Sequence, residues 1–238
     1  MSEISLHSIR FPNETAEYRE ARNELLLAER DLRRQMERVA AQRRALPLGG
    51  EVREDYVFEE DANALAQTTN AKPVKLSELF GDKTTLLAYS FMYGPAEGRG
   101  AMERPCPNCT SILDGLNGQS PHVSQRAALV VIAKSPIARI REFARGRGWS
   151  GLRLLSSAGN SYNADYRGEN EEGAQRPALN VFTRRDGRIF HSYCTELMLA
   201  PSDPGQHPRH VDTIWPLWNL LDLTPEGRGN DWQPRLSY

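Results

Sequence analysis

The chain has 238 residues, 39% of them hydrophobic and 26% charged, with a formal net charge of −1. That balance excludes a disordered chain and leaves enough sequence to bury a sizeable core. No global basic field argues for nucleic acid or an anionic membrane surface, and the apolar runs TTLLAYSFMY and AALVVIA are too short to span a bilayer.

Residues 14–46 read as one long helix. Tyr18, Ala21, Leu25, Ala28, Leu32, Met36 and Val39 recur every three or four positions and draw one apolar stripe. Asn13 is the expected cap, and Pro47 with Gly49-Gly50 ends the helix. The stripe suits a docking helix, or a helix that pairs with a second copy of the chain. Residues 1–50 are therefore expected to form an N-terminal helical extension, and residues 51–238 a separate domain.

The texture then turns to alternating elements. DYVFE reads as a short strand, VKLSELF as a helical turn capped by Ser77, and TTLLAYSFM (84–92) as a buried strand. A loop dense in Gly, Pro and charge follows. CPNCTSILDGLNG reads as a helix ending near Gly115 or Gly118. AALVVIA (127–133) is a second buried strand. SPIARIREFARGRG is a helix with Ser135 as cap and Pro136 at its first position, and LRLLSS is a third strand. NADYRGENEEGAQR is polar and expected as a surface insertion. PALNVFTRRDGRIFHSYC reads as a hairpin turning at Asp186-Gly187, and VDTIWPLWNLLDL as a last helix whose start Pro216 shortens. This order predicts an α/β fold with a mainly parallel central sheet and an antiparallel edge supplied by the hairpin.

The chemistry centres on Cys106 and Cys109, a CxxC that follows a buried strand and opens a helix. A helix start presents unpaired amides and partial positive charge, which favour a thiolate at Cys106. Helical residues three apart bring their Cβ atoms to roughly 5–6 Å, close to disulfide geometry. Pro107 falls at the first helical position, where its missing N–H does no harm. Cys109, one turn further in, is expected to be the more buried. Cys106 then attacks a disulfide or oxidised sulfur, and Cys109 resolves the mixed intermediate.

These features resemble thioredoxin-like proteins. The segments FMYGP…CPNC, RGRGWSGLRLLSSAGNSYNADY, FTRRDGRIFHSY and LLDLTPEGRG resemble the bacterial thioredoxin-like family of domain-of-unknown-function 899 over most of the chain. The resemblance implies a three-layer α/β/α sandwich with an N-terminal helical extension. It makes Cys106 the attacking thiol and Cys109 the resolving one. It makes Pro177 a cis proline facing the disulfide, with Arg176 offering backbone to an extended substrate. Two departures stand out. The Gly94–Pro105 loop is longer than thioredoxin's, and LLAYSFM holds no acidic residue where thioredoxins bury a proton-shuttling carboxylate.

Other readings stay open. The Pro-x-x-x-Thr/Ser-x-x-Cys arrangement of peroxiredoxins is absent, since Glu103 stands three residues before Cys106. Cys106, Cys109 and His122 follow the start of a zinc-finger spacing, with His191 or Cys194 as a distant further ligand. The odd separation of those two predicts opposite strand faces, so one at most meets the CxxC. Cys194 is expected as a buried apolar-like residue, and Trp215 and Trp218 as core. A non-catalytic interaction scaffold is the remaining alternative. The reading adopted is a thiol–disulfide oxidoreductase or thiol-dependent antioxidant protein using Cys106 and Cys109. Its expected partners are a protein or small-molecule disulfide and a thiol reductant, without cofactor, metal, nucleic acid or membrane. The missing signal-peptide pattern in MSEISLHSIRFP and the few cysteines point to the cytoplasm.

Overall fold

A computed structural model describes residues 6–61, 71–201, 204, 214–227 and 233–237. Two compact units emerge, Met1–Pro47 and Leu48–Tyr238. The first carries α1 (Ala16–Arg44). Its cap is Thr15 rather than Asn13: the Thr15 hydroxyl accepts from the Tyr18 amide at 3.1 Å, whereas Asn13 lies outside the helix at φ 61°. Tyr18, Leu25, Leu32 and Met36 of the stripe are exposed.

The second unit is built on one seven-stranded sheet. The strands are β1 (Val57–Asp61), β2 (Ala71–Lys75), β3 (Thr85–Ser90), β4 (Ala128–Ala133), β5 (Arg153–Ser156), β6 (Ala178–Arg185) and β7 (Arg188–Cys194), in the order β2-β1-β5-β4-β3-β6-β7. Only the centre matches the expected parallel sheet: β3 pairs parallel with β4, and β4 with β5. Both flanks are antiparallel, because β1 and β2 form a second hairpin-like pair beside β5. The segment AKPVK was not expected as a strand. Pro73 removes an amide from the ladder, which only an edge strand tolerates, and β2 is that edge.

The block β4-β3-β6-β7, with the hairpin antiparallel beside the strand that precedes the CxxC, is a thioredoxin-like core. On one face α2 (Pro107–Val123), α3 (Ile137–Arg147) and α5 (Pro216–Leu221) bury Ile112, Leu113, Ile140, Ala144, Trp215 and Trp218 against Tyr89, Phe91 and Val131. The other face is covered by a 3-10 turn, Leu76–Glu78, and the short α4 (Tyr162–Asp165), over Phe58, Leu86, Ile132 and Phe182. The sandwich is three-layered with one thin layer.

Several local expectations shift. Ser77 does not cap its turn. It bonds Asp55, while the Glu78 carboxylate accepts from the Lys75 amide at 2.7 Å. Helix α2 passes Gly115 and Gly118 and ends at Val123, since packing outweighs the roughly 1 kcal/mol that a helical glycine costs. Pro136, not Ser135, occupies the cap position of α3, and Gly148 closes that helix at φ 70°. Pro216 opens α5, whose expected start at residues 211–213 lies outside the described residues. Trp215 and Trp218 stack edge-on at 5.2 Å within the core.

The polar segment after β5 is a surface insertion only in part: Glu171 and Glu172 are exposed, but other polar residues are not. Asn163, Glu169 and Gln175 are buried. They can be, because they satisfy one another and the strand ends. Ser157 Oγ donates to Asn163 Oδ1 at 2.7 Å, Asn163 Nδ2 donates to Gln175 Oε1 at 3.1 Å, and Lys134 Nζ donates to the Asn160 carbonyl at 2.8 Å. The segment carries the chain from β5 back to β6 and seals the C-terminal ends of the parallel strands.

The β6–β7 turn adopts left-handed backbone at Asp186 (φ 50°) and Gly187 (φ 74°), as a two-residue hairpin requires. Gly187→Val is expected to lower stability by about 1–2 kcal/mol without altering the fold, as read by urea unfolding, because a branched side chain resists that conformation.

Candidate active site

The C-terminal end of β3 sets the position of the cysteines. The Phe91 amide continues the sheet by donating to the Ile132 carbonyl at 2.8 Å. The chain then loops out and returns, and the Cys106 amide donates to the Met92 carbonyl at 3.0 Å. Cys106 sits there as the N-cap of α2 in extended conformation, with Pro107 in the first turn. Its carbonyl accepts from the amide and hydroxyl of Thr110 at 3.0 and 2.9 Å. Pro107 is exposed, Cys106 half-buried, and Cys109 1% exposed. Cys106, Cys109 and Cys194 are free thiols.

The two thiols differ sharply. Cys106 is lowered to about 6, chiefly by the hydrogen bond that the Cys109 thiol donates to it; burial opposes this, and the amides of Cys109 and Asn108 add to it. Cys109 is raised well above the ordinary thiol range, first by burial and then by its bond to Cys106 and that sulfur's charge. Tyr89 and the Met92 backbone act in the opposite sense on Cys109. The Cys109 thiol, with help from the amides at the helix start, thus makes Cys106 the acidic thiol, while burial keeps the proton on Cys109.

The long loop before Cys106 is held in place. Arg139 of α3 stacks over Tyr93 at 4.5 Å from the ring centre. Its guanidinium donates to the carbonyls of Gly94, Met102 and Glu103 at 2.9–3.0 Å. Arg99 reaches the Glu171 carbonyl, and Gly100 packs so tightly on Gly173 that a Cβ would strike its carbonyl. Cys106, which follows this loop, is half-buried rather than sealed.

Pro177 directly precedes β6, one residue before the Ala178–Ser90 pair at the end of β3. No cis peptide bond occurs among the described residues, so the bond from Arg176 to Pro177 is trans and not cis as expected. The Arg176 amide is also engaged, donating to the Gly168 carbonyl at 2.8 Å. The sealing segment has taken the backbone donor that an extended substrate was expected to use.

The zinc-like ligand set is not assembled. His122 is in the last turn of α2, about 24 Å from Cys106 at 1.5 Å per residue. A bulge at Val181/Phe182 brings His191 opposite Phe182 and Cys194 opposite Asn180. The extra residue in β7 puts both on one sheet face, against the odd-spacing expectation, and Phe182 belongs to the face away from the CxxC. His191 Nε2 lies 2.8 Å from Asn180 Oδ1, and burial holds its imidazole below the usual range. Cys194 is raised to about 11, by burial first and then by the charge of Glu196, as suits an inert thiol. Among the described residues no three His, Cys, Asp or Glu side chains gather to hold a metal.

Two residues of the site escaped sequence reasoning. Arg139 gave no local sign, because its partners lie some 40 residues upstream and are backbone carbonyls. Tyr89 was legible in part: strand alternation places it on the same face as Phe91, but not beside a sulfur.

A family described as bacterial protein of unknown function (DUF899) matches residues 8–238, and the chain belongs to that family. No curated protein matches it. Among solved structures, a reduced 2-Cys peroxiredoxin from Plasmodium vivax is similar at TM-score 0.44 and 16% identity, covering 74% of this chain and 96% of that one. AhpC from Mycobacterium bovis is similar at TM-score 0.44 and 14% identity, covering 74% and 98%. The exposed lipoprotein thioredoxin Etrx1 from Streptococcus pneumoniae is similar at TM-score 0.37 and 11% identity, covering 66% and 97%.

In reduced protein, iodoacetamide is expected to label Cys106 first, with a rate that rises through pH 6 and levels off above pH 7, because Cys106, lowered to about 6, is already a thiolate there. Peptide mapping across pH 5–9 checks this. A rate still climbing through about pH 8.5, as for an ordinary thiol, contradicts the assignment.

Proposed function

We propose that this chain is a thiol–disulfide oxidoreductase in which Cys106 attacks and Cys109 resolves. The observation that carries the reading is the pairing of an acidic, half-buried sulfur at a helix N-cap with a buried thiol one turn in that donates to it. The Cys106 thiolate displaces one thiolate from a substrate disulfide and forms a mixed disulfide. Cys109 loses its proton and attacks the Cys106 sulfur, which expels the second substrate thiolate. The chain ends with a Cys106–Cys109 disulfide, the substrate as two thiols, and an external thiol reductant restores the pair.

The engaged Arg176 amide and the trans bond at Pro177 favour a small-molecule disulfide over a protein segment docked as an extended strand. Pro107, exposed beside Cys106, is the surface such a substrate meets. No described helix is long and apolar enough to cross a membrane. The cytoplasm, where thiol reductants abound, is the compartment this chemistry suits. Tyr18, Leu25 and Leu32 of α1 stand seven residues apart and exposed, the spacing of a helix that pairs with a second copy.

Turnover of a chromogenic aryl disulfide with a thiol reductant tests the chemistry. Cys106→Ser is expected to lose at least about 100-fold in rate, and Cys109→Ser to accumulate a one-to-one mixed disulfide on Cys106 visible by mass spectrometry. Full activity in Cys106→Ser, or a CxxC that stays reduced throughout a glutathione redox titration, overturns the reading. For self-association, sedimentation of a Leu25→Glu, Leu32→Glu double variant is expected to show a smaller species than the parent; identical sedimentation of the two removes α1 from the interface.

A further inference from the structure

Tyr89 is fully buried in β3, and its hydroxyl has no hydrogen-bond partner. Burying a hydroxyl unpaired is costly, and phenylalanine fills the same space without that cost. The residue belongs to the same core cluster as Cys109, on the sheet face that carries α2. It lies three residues before Met92, whose carbonyl fixes the Cys106 amide. The hydroxyl and the Cys109 sulfur are near enough that the phenol acts on the thiol and opposes its upward shift.

The reduced state is the one in which Tyr89 is not needed. There the Cys109 thiol keeps its proton and donates it towards Cys106. Once Cys106 is tied up in a mixed disulfide, that acceptor charge is gone. Cys109 must then become a thiolate in a site that burial makes hostile to charge. The strand holds no carboxylate to take its proton, since LLAYSFM is otherwise apolar apart from Ser90. Ser90 points to the opposite face, towards Gly168.

We propose that Tyr89 donates a hydrogen bond from its hydroxyl to the Cys109 thiolate during the resolving step, and so sets how fast the mixed disulfide is released. This rests on the oxidoreductase reading above and deepens it. In the step, the Cys109 proton passes to solvent or to the departing substrate thiolate. The new S–S bond forms between Cys109 and Cys106 as the bond from Cys106 to the substrate sulfur breaks. Tyr89 keeps its own proton throughout, because burial holds its phenol well above the ordinary range. The titratable groups facing Cys109 are Cys106 from α2 and Tyr89 from β3. Asp114 of α2 is engaged by Trp149 Nε1 at 2.8 Å and by Arg147, Arg139 of α3 serves the loop carbonyls, and α5 presents Trp215 and Trp218.

The test uses the full chain and an aryl disulfide in single turnover, where attack releases the first aryl thiolate and resolution the second. In Tyr89→Phe the first phase is expected to stay within about twofold of the parent at pH 7. The second phase is expected to slow about tenfold or more, with its pH profile moved upward so that the two proteins converge at high pH. Thermal unfolding of Tyr89→Phe is expected to be unchanged or shifted upward, since the variant removes an unpaired buried hydroxyl. As a second variant of nearly the same shape, 3-fluorotyrosine at position 89 is a stronger donor and is expected to speed the second phase at pH 7. An unchanged second phase and pH profile in both variants overturns the role of Tyr89 while leaving the oxidoreductase intact. A parent protein that shows no first phase overturns both.

Discussion

One hydrogen bond organises the candidate site: the Cys106 amide on the Met92 carbonyl, at 3.0 Å. It joins the end of β3 to the start of α2 across a loop of more than ten residues. Because the sheet continues to Phe91 through the Ile132 carbonyl, that anchor is as rigid as the sheet itself. The helix therefore begins at a fixed point, and its first amides converge on the Cys106 sulfur. Its second turn is driven into the core by Ile112 and Leu113, which carry Cys109 down with them. Placement, acidity and burial of the pair follow from where one helix starts.

The balance between desolvation and hydrogen bonding separates the three cysteines. Burial pushes every thiol up. At Cys106 it is outweighed by the Cys109 thiol and by the amides of Cys109 and Asn108. At Cys109 burial leads, and the neighbouring sulfur adds to it. At Cys194 burial and the Glu196 carboxylate act together, with only the Thr195 backbone opposing. The same chemical group is an acidic half-buried thiol, a buried thiol that holds its proton and a buried core residue in one chain, by virtue of what surrounds it.

Much of this was written locally in the sequence. The apolar β3 and β4, the helix opened by CPNC, and the Asp186-Gly187 turn each follow from a pattern within a short window. What the sequence hid depends on partners distant in the chain. A strand containing Pro73 makes sense only at a sheet edge, and its position there comes from pairing with β1. A polar run looks exposed until Ser157, Asn163 and Gln175 are seen to satisfy one another. The bulge in β7 inverts a face assignment that simple alternation made. The trans bond at Pro177 is the sharpest case, because a family resemblance implied a cis bond there.

That last difference bears on how the molecule balances access against acidity. A thiolate at a helix start needs shielding from water to keep its hydrogen bonds strong, yet a substrate disulfide must reach it. Here two segments near the helix start hold each other in place. Arg139 pins the 94–105 loop through three backbone carbonyls, and the loop packs on the segment that also occupies the Arg176 amide. Glycine at 100 and 173 is what lets those two backbones meet so closely. Each contact that firms up this pair of segments also removes a place where an extended chain could bind. What is left is a half-buried sulfur with exposed Pro107 beside it, which under the oxidoreductase proposal suits a small disulfide better than a docked chain.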